Sequence, residues 1–341
     1  MRMLQVGAFA PARLSGIKSQ SALVTYCTLA APRTGDLIFL ASVLIAHFSD
    51  PHLPLAGLPG WREWRVKRVL SLISWLTRRR HLHTSAPLAQ VMHDIQLAAP
   101  DLVALTGDMT NLGLLSEFRA AQRWLQEQSL PPTLLVPGNH DALVRENSQE
   151  KRALWAPWLH REANDSAPCV LVRDHVALIG VNTAVPSPPF LATGRAGREQ
   201  LEQLANVLKN LGKAGLCRVV LLHHPPVAKL VAKRKGLTDL NIFQDIVRQE
   251  GAELVLHGHS HRASFCTLAG TRTPVIGTTS ASHIADSPEK AAGWNRITIA
   301  AQPDSWGITV QRRALGPDGR MHDREAPGVY TLHRQFSQTA V

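Results

Sequence analysis

The eight residues at 254–261, Leu-Val-Leu-His-Gly-His-Ser-His, decide the fold. The apolar run predicts a buried strand, and the glycine predicts that the strand ends there. Three histidines, His257, His259 and His261, occupy alternate positions at and beyond this end. Neutral imidazole is a common ligand of divalent metal ions. The stretch therefore predicts a strand that leads into a metal-binding loop.

Four other apolar runs end in the same way, each followed within a few residues by side chains of metal-binding type. They are 43–45 before Asp50 and His52, 102–105 before Asp108 and Asn111, 134–136 before Asn139 and His140, and 219–222 before His223 and His224. Ligands collect at the carboxyl ends of the strands in open α/β sheets. Five strand ends of this kind predict one shared site.

The segments between these ends favour an α/β fold. A buried strand is expected at 37–46, and a helix capped by Ser85 is expected at 85–98. Further helices are predicted at 116–128, 149–163, 197–211 and 240–249. Strands that alternate with helices predict parallel pairing through right-handed crossovers. Alternating segments at 263–268, 296–300 and 307–311 predict a second, more antiparallel sheet.

Five motifs at these strand ends resemble those of the calcineurin-like metallophosphoesterase family. In order they are Asp-x-His from 50, Gly-Asp-x-x-Asn from 107, Gly-Asn-His-Asp from 138, His-His-Pro from 223 and Gly-His-x-His from 258. Gly-Asn-His-Asp and His-His-Pro-Pro are similar to the class III cyclic-nucleotide phosphodiesterase branch. The resemblance implies a four-layer α/β/β/α sandwich of two mixed sheets, with a dinuclear metal site at the strand ends.

The resemblance also implies roles for individual residues. The first ion would be held by Asp50, His52 and His261, the second by Asn139, His223 and His259, and Asp108 would bridge both. His140 would protonate the departing oxygen, and Asp141 would orient His140. The donor set has no cysteine ligand, and it accepts manganese, iron or zinc.

The function implied is that of a dinuclear metal-dependent phosphoesterase. A phosphodiesterase is favoured, acting on a cyclic nucleotide or a similar phosphodiester through attack by a metal-bridging hydroxide. One alternative is a membrane-surface hydrolase of a lipid-linked phosphoester or pyrophosphate. The other is a binding scaffold without catalysis, which ranks low because every matched ligand position and His140 are present. The neighbouring His224, His257 and Asn111 are left open between substrate contact and packing.

Composition restricts the partners and the compartment. The chain has 341 residues, a formal net charge of +11 and four cysteines without a CxxC pair. The charge indicates an anionic partner, and a phosphoester substrate satisfies it, whereas no nucleic-acid-binding motif is present. The scattered cysteines favour thiols in a reducing cytoplasm. No apolar run is long enough to span a bilayer.

The domain prediction has three parts, and the second of them contains an insertion. Residues 1–36 are expected to be a disordered leader or to precede the true start codon, although their lack of acidic residues before Asp36 is also typical of a targeting peptide. Residues 37–314 are expected to be the metallophosphoesterase domain, within which 53–98 form a helical cap-like insertion, and 315–341 are expected to be a C-terminal tail.

The insertion contains a basic amphipathic helix at 61–80, which carries Trp61, Trp64 and Trp75. Either its apolar stripe packs on the domain, or the helix contacts an anionic membrane surface. His81, His83 and His283 are expected to be surface or loop residues, with His283 at the border of the pocket.

Overall fold

The computed structural model describes residues 27–28, 42–146, 149–160, 167–284 and 286–333. Most of the expected leader at 1–36 lies outside the described residues, as does the first half of the strand expected at 37–46. Within the described part, that strand runs from Ser42 to Phe48.

Thirteen strands in the described part form two sheets. They are β1 (Cys27–Thr28), β2 (Ser42–Phe48), β3 (Leu102–Leu105), β4 (Thr133–Leu135), β5 (Cys169–Arg173), β6 (Val176–Gly180), β7 (Cys217–Leu222), β8 (Leu254–His257), β9 (Ser264–Thr267), β10 (Pro274–Gly277), β11 (Gly293–Ala301), β12 (Ser305–Leu315) and β13 (Met321–His333). One sheet has the order β1-β5-β6-β7-β8-β10-β9, and the other has the order β13-β12-β11-β2-β3-β4. The neighbours β2, β3 and β4 are parallel, as are β6, β7 and β8. Parallel and antiparallel pairs occur in both sheets.

The helices lie between the strands in the order that the sequence predicts. They are α1 (Val66–Ser74), a π-helical segment (Trp75–Arg79), α2 (Arg80–Leu82), α3 (Ser85–Ala98), α4 (Leu115–Glu127), α5 (Gln149–Leu159), α6 (Arg198–Lys213), a 3₁₀ turn (Lys233–Lys235) and α7 (Leu240–Glu250). Ser85 is the first residue of α3 rather than its cap, because Thr84 occupies the N-cap position with extended backbone.

Three apolar layers hold the sandwich together. The central layer joins the inner faces of the two sheets through side chains such as Ile45, Val219 and Ile297. One outer layer packs α3, α4 and α5 on the six-stranded sheet, with Ile95 among its buried residues. The other packs α6 and α7 on the seven-stranded sheet, with Phe243 fully buried. This arrangement confirms the predicted α/β/β/α sandwich.

The strands after His261 do not form a separate sheet as predicted. Residues 264–267 form β9, which pairs with β10 at the edge of the seven-stranded sheet. The strands β11 and β12 instead extend the sheet that begins with β2, since β11 pairs antiparallel with β2. Sequence alternation identified these strands but could not say which edge each would join.

The boundary predicted at 314 does not mark the end of the sheet. The segment that the sequence assigned to a tail contains β13, which pairs along β12 from Ser305 to Leu315. Tyr330 and Leu332 pack against the central core, whereas Val329, just before Tyr330, is 70% exposed. As an edge strand with one face in solvent, β13 carries many polar residues, and these masked its alternation in the sequence.

The cap helix begins later than predicted and packs with the opposite face inward. Residues 61–65 precede the helix, which starts at Val66. Arg68 is buried, and it donates hydrogen bonds from Nε to Leu112 O (3.1 Å) and from Nη2 to Gly113 O (3.1 Å). Leu72 is buried beside it, but Ile73 is 51% exposed. A guanidinium therefore anchors the cap on the loop after β3.

Candidate metal centre

The site lies where the carboxyl ends of five strands meet. β2, β3 and β4 deliver loops from one sheet, and β7 and β8 deliver loops from the other. Backbone hydrogen bonds tie these loops together, from Asp50 N to Gly107 O (2.9 Å) and from Gly258 N to His223 O (3.1 Å). The amide of His259 donates to Asp50 Oδ2 across the two sheets (3.1 Å). The five predicted strand ends do converge.

One group of ligand atoms comes from Asp50, His52, Asp108 and His261, all within 4.8 Å of one another. His261 Nε2 lies 3.1 Å from Asp50 Oδ1 and 3.4 Å from His52 Nε2. His52 Nε2 lies 4.0 Å from Asp108 Oδ2. These separations are compatible with four donors around one ion.

A second group comes from Asp108, His223 and His259, again within 4.8 Å. His223 Nε2 lies 3.3 Å from Asp108 Oδ2 and 3.2 Å from Asn139 Oδ1, so the Asn139 amide faces the same space. Asp108 belongs to both groups. The structure thus brings together all seven side chains that the sequence analysis proposed as metal ligands.

The donor set fits a pair of divalent cations. His52 Nδ1 and His223 Nδ1 each face a carbonyl, Thr110 O (3.3 Å) and Thr106 O (2.6 Å). A carbonyl only accepts, so each Nδ1 donates and leaves Nε2 for an ion. Asp50 Oδ1 is buried and receives no hydrogen bond. An oxygen of this kind is costly to bury unless a cation or proton donor reaches it.

Backbone strain is concentrated at the same residues. Left-handed φ values occur at Asp50 (52°), His52 (40°), Asp108 (56°), His259 (64°) and His261 (51°). Each such conformation costs a non-glycine residue roughly 1–3 kcal/mol, and it persists where the surrounding structure enforces it, commonly at functional sites.

Two glycines make room for this geometry. A Cβ on Gly138 would overlap the Asp108 carboxylate and its backbone amide. A Cβ on Gly258 would overlap the Ser49 side chain. Only glycine therefore fits at these positions of Gly-Asn-His-Asp and Gly-His-x-His, because a neighbouring loop approaches the backbone closely.

The electrostatics of the cluster favour anions at the carboxylates and neutral imidazoles around them. Burial alone would raise the pKa of Asp108, but His223 and His140 hold it well below its usual value. Burial lowers the pKa of His52 and of His259 well below the usual value. His223 is the exception, because the Asp108 carboxylate outweighs burial and raises its pKa to about 9.

His140 is held as a neutral ring. Its Nδ1 lies 2.8 Å from Asn111 O and must donate to it, so Nε2 accepts from Arg79 Nη1 (3.0 Å). Burial and the Arg79 charge lower the pKa of His140 to about 4.

Asp141 does not orient His140 as the resemblance implied. Its carboxylate instead accepts from the amides of Gly138 (2.8 Å), Asp108 (3.0 Å) and Thr110 (2.9 Å). The ring of His140 is oriented by Asn111 O and Arg79. Asp141 therefore joins the loops that follow β3 and β4.

Two cap residues that the strand-end motifs do not predict also enter the site. Arg79, from the π-helical segment, contacts His140. His83 was expected in a loop, but its ligand nitrogen lies within 4.8 Å of those of His52 and His261. Burial and His261 lower the pKa of His83 to about 2, and Ser280 Oγ and Ser282 Oγ lie 3.1 Å from its Nδ1. The strand-end motifs do not predict that Arg79 or His83 enters the site, because both residues lie in the insertion between two motifs.

The residues that the sequence left open between substrate contact and packing, His224, His257 and Asn111, form hydrogen bonds with neighbouring protein groups. Asn111 Nδ2 donates to Leu53 O (2.7 Å), and His224 Nδ1 pairs with Thr183 Oγ1 (2.8 Å). His257 lies between Gly258 O and Ser264 Oγ. His283, expected at the surface or in a loop at the border of the pocket, is 4% exposed and does not line the pocket, and its Nδ1 lies 2.8 Å from Ile284 O. All four are buried and hydrogen-bonded within the described structure.

The convergence of carboxylates, an amide and imidazoles at the strand ends of a two-sheet sandwich defines a metal-dependent hydrolase. The chain belongs to the calcineurin-like phosphoesterase family, whose model matches residues 43–263. The protein is accordingly a metallophosphoesterase.

Two relatives are informative. A probable cyclic nucleotide phosphodiesterase of Synechococcus is 28% identical over 227 residues, which cover 65% of this chain and 81% of that protein. A probable glycerophosphodiester phosphodiesterase of Arcobacter nitrofigilis is 26% identical over 190 residues, which cover 54% of this chain and 64% of that protein.

Two solved structures share the fold. A dimetal phosphatase from Danio rerio has a TM-score of 0.50 at 13% identity, covering 86% of this chain and 99% of that one. A purple acid phosphatase from yellow lupin has a TM-score of 0.54 at 13% identity, covering 87% of this chain and 54% of that one. At this identity the likeness concerns the fold alone.

Proposed function

We propose that this protein is a phosphodiesterase that hydrolyses a cyclic nucleotide or a similar diester with two metal ions sharing Asp108. The observation that carries the proposal is the membership of Asp108 in both ligand groups. The names of the Synechococcus and Arcobacter relatives support a diester as substrate. Two dications held close together supply an activated water and charge compensation for in-line displacement at phosphorus.

The roles of the protein groups follow from their positions. Asp50, His52 and His261 would hold one ion, and Asn139, His223 and His259 the other. His140 and Arg79 border the same pocket, in which the scissile phosphoryl group would lie beside His140. We propose that His140 protonates the leaving oxygen, which requires Nε2 to take up a proton from solvent and its hydrogen bond from Arg79 to break.

Manganese, iron and zinc all suit these oxygen and imidazole donors. The test is reconstitution of metal-free protein with each ion, followed by a screen of monoesters, cyclic nucleotides and other phosphodiesters. Metal-dependent diester hydrolysis that is lost in Asp108→Asn supports the proposal. Hydrolysis of monoesters alone would contradict it.

A second proposal concerns location. No helix in the described residues has the length and apolarity to cross a bilayer. The cap nevertheless exposes large apolar side chains to solvent, including Trp61 (79%), Val66 (68%) and Ile73. The exposed Arg62 and Arg78 belong to the same cap-like insertion. We propose a cytoplasmic protein that contacts an anionic membrane surface through this face.

The exposed apolar face favours one of the two roles considered for the cap helix, which are packing on the domain and contact with an anionic membrane surface. An amphipathic helix that merely covered the domain would bury its apolar stripe. Here Val66, Val69, Ile73 and Leu76 point to solvent while Arg68 is buried. A face of this kind, with arginines around it, is typical of contact with an anionic bilayer interface.

A further inference from the structure

A pocket of about 330 Å³ opens at the cluster of proposed metal ligands, which we call the metal cluster. One side is formed by the proposed ligands and His140. The pocket is also lined by four basic side chains, Lys67, Arg79, Arg234 and Lys235, which we call the basic wall. Lys67 and Arg79 come from the cap, and Arg234 and Lys235 come from the 3₁₀ turn. Elements distant in sequence thus place cations around one opening.

The basic wall is tied to the metal cluster by direct contacts. Arg79 Nη1 lies 3.0 Å from His140 Nε2, and Arg79 Nη2 donates to Ser71 Oγ (2.9 Å). The carbonyl of Lys235 lies 3.0 Å from His259 Nε2. The pocket therefore holds these cations next to the place where a phosphoester would react.

The side chains of the basic wall form no direct ion pair with a carboxylate in the described residues, although Asp108 acts on Arg79 and Lys235 from a greater distance. Within the part of the chain that the structure describes, no carboxylate oxygen lies within 4.0 Å of the four basic groups, and Asp108 is the one acidic residue that lines the pocket. Arg79 Nε is buried without a hydrogen-bond partner. Burial lowers the pKa of Arg79 and lowers that of Lys67 to about 8. Lys67 Nζ donates to Ser187 O (2.8 Å) and Ser187 Oγ (2.7 Å), and neither acceptor carries a charge. Partly desolvated cations that lack a carboxylate partner favour the binding of an anion.

One phosphodiester does not require so many cations. The scissile group of a diester carries a single negative charge, and two metal ions already compensate it. A further anion would account for the remaining positive charge. We infer that the substrate carries a second phosphate group beyond the scissile one and that Lys67, Arg79 and Lys235 bind it. The hydrolysis step rests on the proposed function, whereas the binding of the second phosphate does not.

A matched pair of substrates tests the inference. Thymidine 5′-(p-nitrophenyl phosphate) and its 3′-phosphorylated counterpart share the scissile diester and the chromophore, and they differ by one remote phosphate. We expect the 3′-phosphate to raise kcat/KM about tenfold, mainly through KM, and added salt to reduce the gain. Equal kcat/KM values for the two esters would overturn the inference.

Variants locate the effect. Arg79→Gln and Lys67→Gln should reduce the ratio between the two substrates, whatever they do to the absolute rate. Arg78→Gln and Lys233→Gln are matched controls, because both residues are exposed neighbours that do not line the pocket. A ratio that falls equally in the controls would show general charge attraction instead of a binding site.

A binding measurement separates this inference from the proposed reaction. Calorimetry on metal-free protein should show pyrophosphate binding more tightly than orthophosphate, with the difference lost in Arg79→Gln. If neither ester is hydrolysed but pyrophosphate binds in this way, the proposed function fails and the basic wall stands as a phosphate site. Pyrophosphate that binds no better than orthophosphate, or equally well to Arg79→Gln, would refute it.

Discussion

The carboxylate of Asp141 lies 3.0 Å from the backbone amide of Asp108 and accepts its hydrogen bond. The same carboxylate accepts from Gly138 N and from both the amide and the hydroxyl of Thr110. Even so, burial and the Asp108 charge raise the pKa of Asp141 to about 7. The loop that presents Asp108 is therefore held by a second acidic group that is itself costly to ionise there.

Replacing that carboxylate should loosen the metal cluster. In Asp141→Asn one oxygen becomes an amide nitrogen, which cannot accept from the backbone amides. We expect a loss of about 1–3 kcal/mol in the free energy of unfolding and a loss of roughly 10–100-fold in metal affinity. Urea unfolding of the metal-free protein and calorimetric metal titration measure the two effects. Asp304→Asn, at an exposed position, is the control; similar behaviour of the two variants would contradict the role given to Asp141.

His140 should matter most for substrates with a poor leaving group. A p-nitrophenolate departs without a proton, whereas an alkoxide needs one, so general-acid assistance is selective. His140→Ala should lower kcat for an alkyl diester by about 10²–10⁴-fold and lower that for a p-nitrophenyl diester much less. Equal losses for both esters, with metal content unchanged, would remove His140 as the acid.

The metal-free protein should lose stability as the pH falls. His47 is fully buried between Thr106 Oγ1 (3.1 Å) and Asn295 Nδ2 (3.2 Å). Burial, with a contribution from His257, lowers the pKa of His47 to about 3. Between the unfolded value near 6.5 and this value, the unfolded state binds more protons, so stability falls as the pH falls through that window.

By about pH 5 this one group removes about 2 kcal/mol relative to pH 7. Urea unfolding at both pH values measures the difference for the wild type and for His47→Gln. The variant should be less stable at neutral pH but should show a shallower fall. Exposed His81→Gln is the control, and an unchanged fall in His47→Gln would refute the assignment.

Membrane contact should depend on the exposed face of the cap. Trp61→Ala and Ile73→Ser each remove exposed apolar surface without touching the pocket. We expect both to weaken sedimentation with anionic phosphatidylserine vesicles while hydrolysis of a small diester is kept. Leu97→Ser, at a 71% exposed position on α3, is the matched control. Wild-type protein that does not sediment with these vesicles would end the membrane proposal.

The sequence predicted the strand ends well and the cap poorly. The runs before Asp50 and His259 are short and apolar, and metal-binding side chains follow each of them directly. The two-sheet sandwich and the convergence of these side chains at one site could therefore be anticipated. Arg79 and His83 lie on an insertion whose docking depends on a buried arginine, Arg68. Apolar periodicity assigns an arginine to solvent, so it selects the wrong face.

The π-helical turn at Trp75–Arg79 is a second reason. A residue added to a helical turn shifts the direction of the side chains beyond it, and the regular helical period does not predict that shift. Arg79 is the last residue of this irregular turn, so its direction into the site could not be predicted from the helical period. The edge strand β13 was missed for a different reason, because its solvent-facing half is polar.

The central claim is that two ions share the Asp108 carboxylate. Electron paramagnetic resonance of protein loaded with manganese(II), read together with total metal content, tests it most directly. We expect about two ions per chain and the signal of an exchange-coupled pair, with the coupling lost in Asp108→Asn. A single ion per chain, or two ions whose spectrum is that of isolated manganese(II), would contradict the account.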